Sequence, residues 1–167
     1  MALERAPVAR THMLIRRPVA EVFEAFVDPA ITSRFWFTRG SGRLVPGAAV
    51  TWHWDMYGFS APVRVEAVEP NRIIRVRWPT PVEWLFTERE NGTTFVVITA
   101  SGFAGTDDEQ VAAAIDSMGG FSFVLAGCKA LLEHGVALNL VPDHDPDAVV
   151  SKAAESGAAS PRSENNR

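Results

Sequence analysis

A single cysteine, Cys128, excludes an internal disulfide and suits a reducing compartment. No apolar run reaches transmembrane length, and the opening MALERAPVAR has no secretory-signal pattern. A soluble, cytoplasmic protein without membrane insertion is therefore expected. No internal repeat is present, which excludes solenoid architectures. Neither sign of charge dominates: the net charge is −4 with both signs interspersed, and this argues against nucleic acid or anionic membrane as a partner. What is present is ordinary globular material, 47% hydrophobic and 22% charged over 167 residues. That length allows one domain with a real core, plus a tail.

The longest coherent stretch is DDEQVAAAIDSMGGFSFVLAGCKALLEHG, from Asp107 to Gly135. Thr106 or Asp107 can cap its start, with Asp108 and Glu109 in a first turn where the helix dipole favours negative charge. Val111, Ala114, Ile115, Met118, Phe121, Leu125, Cys128 and Leu132 fall three or four residues apart and define one apolar face. Gly135 is a left-handed stop. The Gly119-Gly120 pair predicts a bend or a close backbone approach, because each glycine weakens a helix by roughly 1 kcal/mol relative to Ala.

Upstream, Val8 to Arg17 reads as a first strand. Pro18 opens a helix carrying Val19, Val22, Phe23 and Phe26, Asp28-Pro29 breaks it, and a second short helix runs from Ala30 to about Phe35. From Ala48 to about Gly102 the period changes to two. Val50, Trp52, Trp54 and Met56 alternate with Thr51, His53 and Asp55, and Tyr57-Gly58 turns the chain. Ile74, Val76 and Trp78 alternate with Arg75 and Arg77, Val82, Trp84 and Phe86 follow, and Asn91-Gly92 marks a hairpin before Phe95, Val97 and Thr99. The sum is an α+β, helix-grip arrangement: a curved antiparallel sheet around the long C-terminal helix, with two short helices after strand 1. Residues 1–146 are expected to form this domain. VALNLVPDHDP is expected to be extended along its surface, and the Ala/Ser-rich residues 147–167 to be a disordered tail.

Five local signatures in this order resemble the START/Bet v 1-like (SRPBCC) superfamily and, within it, the Activator of Hsp90 ATPase homologue 1-like group. They are RPVAEVFEAFVDPAITSRFWF, PGAAV, VEAVEPNRIIRVRW, NGTTFVVITASGF and GFSFVLAGCKALLEHG. The resemblance covers roughly Val8 to Pro146. It implies a sheet gripping the last helix with a cavity between them. Members are similar to binders of lipids, polyketides and flavonoid-like molecules; a few relatives are cyclases or hydrolases, and the eukaryotic namesake regulates a chaperone. Two departures stand out. The family often has Trp after the mid-helix glycine where this chain has Phe121, and there is no room for the namesake's additional N-terminal chaperone-binding domain.

Aromatic rings offer large apolar area with preferred stacking geometry, which suits a planar hydrophobic ligand. The expected ligand-binding residues are therefore Trp36, Phe37, Trp52, Trp54, Met56, Trp78, Trp84, Met118, Phe121 and Leu125, and the expected partner is a small hydrophobic molecule. A homodimer is compatible with the sequence. His53-x-Asp55 has same-face strand spacing but no third ligand, and Asp143-His144-Asp145 reads as a solvated loop, so no metal is expected. Cys128 reads as a buried structural thiol, and Ser101 and Ser117 lack a nucleophile elbow. No catalytic residue and no organic cofactor are assigned. The expected function is a binding protein holding a lipid-, polyketide- or flavonoid-like ligand between sheet and helix. A polyketide cyclase/aromatase- or hydrolase-type enzyme is the alternative, with His12, Tyr57 and Glu83 as acid/base candidates. A chaperone-regulating interaction module is the third.

Overall fold

The computed structural model describes residues 2–149. One seven-stranded antiparallel sheet, in the order β1-β7-β6-β5-β4-β3-β2, makes up most of it. The strands are β1 (Ala9–Ile15), β2 (Arg39–Gly40), β3 (Ala49–Trp54), β4 (Phe59–Glu69), β5 (Ile73–Trp78), β6 (Thr80–Arg89) and β7 (Thr93–Ala100). Helices α1 (Val19–Val27) and α2 (Pro29–Thr32) follow β1, the long α3 (Asp107–His134) follows β7, and a short α4 (Leu140–His144) comes after it. This is the helix-grip α+β arrangement that the alternation implied. The two-residue β2, in a Gly-rich stretch, carries no periodicity that would announce it.

Period-two patterning sets the two faces of the sheet. Ile74 pairs with Trp84 and Val76 with Val82, all buried, while Arg75 pairs with Glu83 on the wet side. There Arg75 binds Glu83 at 2.7 Å and Arg77 binds Glu66 at 2.9 Å, so both arginines are engaged in surface ion pairs.

Helix α3 is held at both ends by its sequence. Thr106 and Glu109 form a reciprocal capping box, with the Glu109 amide donating to Thr106 Oγ1 at 3.3 Å and the Thr106 amide donating to Glu109 Oε2 at 2.7 Å. Those bonds hold the Glu109 carboxyl below its ordinary value. Gly135 closes the helix in the left-handed conformation (φ 68°). The helix runs unbroken through Gly119-Gly120, contrary to the expected bend, and outside the adjoining helix backbone no atom lies within 4 Å of where either residue's Cβ would sit. The close approach is instead at Gly127, whose Cβ would lie 3.2 Å from the Phe35 carbonyl oxygen and 3.3 Å from Phe35 Cβ. We expect Gly119→Ala to raise stability by about 0.5–1 kcal/mol through helix propensity. Gly127→Val should cost about 1–3 kcal/mol through overpacking. Urea denaturation midpoints check both; equal effects would contradict this division of roles.

The packed stripe of α3 is narrower than the spacing suggested. Ala114, Phe121, Leu125 and Cys128 are buried, but Ile115 is 61% and Met118 is 44% exposed. At about 100° per residue, Ile115 lies roughly 120° around the helix from Phe121 and so leaves the core face. Of the buried α3 residues, all but Ala114 lie in its C-terminal half, from Phe121 to Leu131. By length and a mean hydropathy of 1.5, α3 is long and apolar enough to cross a membrane, contrary to the expectation of no such run, and 33% of that window is buried here.

Residues 136–146 are not extended throughout, because Asn139 adopts a left-handed conformation (φ 55°) and opens α4. A 3-10 turn covers Pro146–Ala148. Beyond residue 149 the expected tail lies outside the described residues.

Candidate functional site

Where the sheet opens toward the middle of α3, aromatic side chains from five segments converge. Trp36 follows α2, Trp52 and Trp54 come from β3, Trp78 ends β5, Trp84 comes from β6, and Phe121 descends from α3. Trp36 is the hub. Its ring centroid lies 4.8 Å from Trp52, 5.7 Å from Trp78, 5.9 Å from Phe121 and 6.0 Å from Trp84. Trp54 and Trp78 stack at 5.2 Å with 12° between their planes, and Phe37 stacks on Trp52 at 5.0 Å. These are preferred aromatic separations, so the interior between sheet and helix is filled by protein rings.

The unfilled space lies at the rim of this cluster. A cleft of about 180 Å³ is lined by Trp36, Trp78, Gly120, Phe121, Phe123 and Val124, with Val141 and His144 of α4 across from them. Asp116 and Ser117 stand at its edge. A second cleft of about 320 Å³ shares Trp78, Asp116, Ser117 and Phe121 and continues past Phe59, Pro79 and Phe103. Trp78 also borders a shallow depression of about 560 Å³ over Phe59 and Pro62. The Gly120 backbone leaves room here: a side chain at that position meets open space.

The expected ligand-binding residues separate into groups. Trp36, Trp78 and Phe121 line the 180 Å³ cleft. Trp52 (2% exposed), Trp84 (1%) and Leu125 (0%) lie behind it, out of reach of solvent. Trp54 backs Trp78. Met56 does not continue β3; it sits in a 3-10 turn (Asp55–Tyr57) and, with Phe37, lines a small cleft of about 190 Å³ on the other side of Trp36. Met118 is on the outer surface of α3 and lines neither cleft at the Trp78 rim. Sequence reasoning missed α4. Its only advance signal was Val141 in an apolar run after the helix stop, and spacing alone does not fold that run back. The Tyr57 hydroxyl fixes α4 by donating to the Val141 carbonyl at 2.5 Å. Burial, helped by nearby Asp145, raises the Tyr57 phenol above its ordinary value and keeps the donor protonated.

The acid/base candidates do not meet. His12 packs on Phe95 at 5.2 Å, Glu83 is paired with Arg75, and Tyr57 holds α4. His53 Nδ1 lies 2.7 Å from Ser60 Oγ, while Asp55 pairs with Arg39 at 3.0 Å, so these two side chains are also separately engaged. Cys128 is fully buried in α3, and burial, with a smaller push from Glu21, drives its thiol far above the ordinary value; it is a packing residue in the neutral form. Trp84 Nε1 is buried with no hydrogen-bond partner, the sole such side-chain atom among the described residues.

A sheet wrapped on a C-terminal helix with an aromatic interior and a rim cleft defines the class as a helix-grip domain. The sequence profile of the Activator of Hsp90 ATPase homolog 1-like protein family matches residues 16–133, and the chain belongs to that family. Among solved structures, it is 32% identical to the protein SSP2350 from Staphylococcus saprophyticus, covering 80% of this chain and 96% of that one at a TM-score of 0.72. It shares its fold with the Aha1 dimer from Colwellia psychrerythraea (19% identity, 77% and 98% covered, TM-score 0.65). It also shares it with DynU16, a protein of the dynemicin biosynthetic locus (22% identity, TM-score 0.68), covering 78% of this chain but only 48% of that one. No curated protein matches the chain. Family and fold together support a ligand-binding domain in general terms.

Proposed function

We propose that this chain is a soluble, cytoplasmic binding protein for a small hydrophobic molecule, with residues 1–146 as the binding domain. The observation that carries this reading is the cleft lined by Trp36, Trp78 and Phe121 beside Gly120, where a Cβ would meet open space; of the three rings Trp78 is the half-buried one. Exposed aromatic area in a concavity is the usual basis of apolar ligand binding. Pockets for drug-sized ligands enclose roughly 300–1,000 Å³. The cleft of about 180 Å³ therefore suits one compact ring system, with a longer guest of polyketide or flavonoid type continuing into the adjoining 320 Å³. Trp52, Trp54, Trp84 and Leu125 form the rigid backing that holds Trp36 and Trp78 in place.

The test is a titration with flavonoids, aromatic polyketides and fatty acids, read by tryptophan fluorescence and by thermal shift, on the wild type and on Gly120→Leu. A binder should change the fluorescence, raise Tm, and lose more than about tenfold in affinity in Gly120→Leu, which fills the cleft and improves helix propensity. No response across the panel, or undiminished affinity in the folded variant, would contradict the reading.

A further inference from the structure

The two clefts that meet at Trp78 share an apolar lining and one ionised side chain, Asp116. Asp116 is exposed, and it makes no hydrogen bond or ion pair among the described residues. No arginine or lysine lines either cleft, and α3 carries no lysine or arginine between its start and Lys129. The other titratable group is the imidazole of His144, whose Nδ1 lies 3.1 Å from the Val141 carbonyl oxygen. Ser117 adds a hydroxyl beside the carboxylate. A ligand seated on Trp36, Trp78 and Phe121 thus meets, at the shared rim, an acceptor of negative charge with no cation of the protein opposing it.

We infer that the cleft selects an apolar ring system bearing a protonated amine, and that Asp116 is the specificity-determining residue. The inference rests on the binding reading above and narrows it. An ammonium group gains twice at such a site. It makes a charge-assisted hydrogen bond to the carboxylate, and it lies against indole faces whose quadrupole attracts cations. A carboxylate-bearing guest, such as a fatty acid or an acidic polyketide, meets repulsion at the same point. The net charge of −4 adds a weak field of the same sign.

The experiment uses three ligands with the same ring and different heads: naphthylmethylamine, naphthylmethanol and naphthoic acid. Each is titrated by calorimetry at low salt and mildly alkaline pH. The amine should bind about three- to tenfold more tightly than the alcohol, and the acid most weakly. Asp116→Asn, a surface change on α3, should weaken the amine by a larger factor than the alcohol and so remove the amine's advantage. If amine and alcohol bind the wild type equally, or if the preference survives in Asp116→Asn, the inference is overturned while the cleft still stands as a binding site. If none of the three binds, the cleft reading falls and the inference with it.

Discussion

Trp36→Ala should lower the stability of the protein by about 3–5 kcal/mol, the range for deleting a large aromatic side chain from a packed core. Trp36 is 7% exposed and stands within 6.3 Å, centroid to centroid, of Phe37, Trp52, Trp54, Trp78, Trp84 and Phe121. Removing its ring withdraws one partner from each of these contacts and leaves a cavity that neighbours on three strands and a helix cannot all close. Domains of this size are stable by roughly 5–15 kcal/mol, so the variant should remain folded but marginal, with Tm lowered by about 6–20 °C. Trp36→Phe keeps a ring in place and should lose less than half as much. The midpoint of denaturant unfolding with its slope unchanged is the measurement. A loss below about 1 kcal/mol would mean that the rings are loosely collapsed rather than packed, and the interior could then open to a guest.

Glu133→Ala should cost about 2 kcal/mol, because one carboxylate joins three pieces of backbone and side chain. Glu133 Oε2 accepts from the Arg16 amide at 3.0 Å and from Lys129 Nζ at 2.6 Å, and Lys129 Nζ also donates to the Leu14 carbonyl at 2.9 Å. The Glu133 side chain is 9% exposed, so the pair is only partly screened. This clamp ties the C-terminal half of α3 to the end of β1. Burial alone would raise the Glu133 carboxyl; the Arg16 amide and the Lys129 ammonium outweigh it and hold the group below its ordinary value. The folded state therefore binds fewer protons than the unfolded one across the acid range, and stability rises with pH there. The contribution is complete above the unfolded value of about 4.3 and is lost as pH falls through the lower folded value. Glu133→Gln should show a shallower acid limb than the wild type. Parallel limbs would remove Glu133 from the list of groups that set acid sensitivity.

Much of the fold could be read from spacing because spacing records which face is dry. The alternation of Val50, Trp52 and Trp54, and of Ile74, Val76 and Trp78, encoded the sheet's buried face directly, and Thr106 with Glu109 encoded the start of α3. Spacing does not record how wide a stripe the neighbours cover. Ile115 and Met118 share the three-or-four spacing, yet they flank the narrow stripe that packs and are exposed. Nor does it record which glycine meets a neighbour. The conspicuous pair at 119–120 faces open space, and the inconspicuous Gly127 carries the close contact. The candidate site was legible in residue type but not in depth. Trp36, Trp78, Trp84 and Phe121 were all expected to face a cavity; their rings pack on one another, and only Trp36, Trp78 and Phe121 also meet the outer cleft. The fold-back of α4 through Tyr57 is a contact between positions 84 residues apart, beyond the reach of any local pattern.

The most direct test of where a guest sits is the set of indole N–H resonances from the five tryptophans, followed by nuclear magnetic resonance during addition of a bound aromatic ligand. The Trp36 and Trp78 signals should shift progressively while those of Trp52 and Trp84 stay in place. Shifts confined to Trp52 and Trp84, or five signals that never move under a saturating ligand, would contradict the rim cleft as the place of binding.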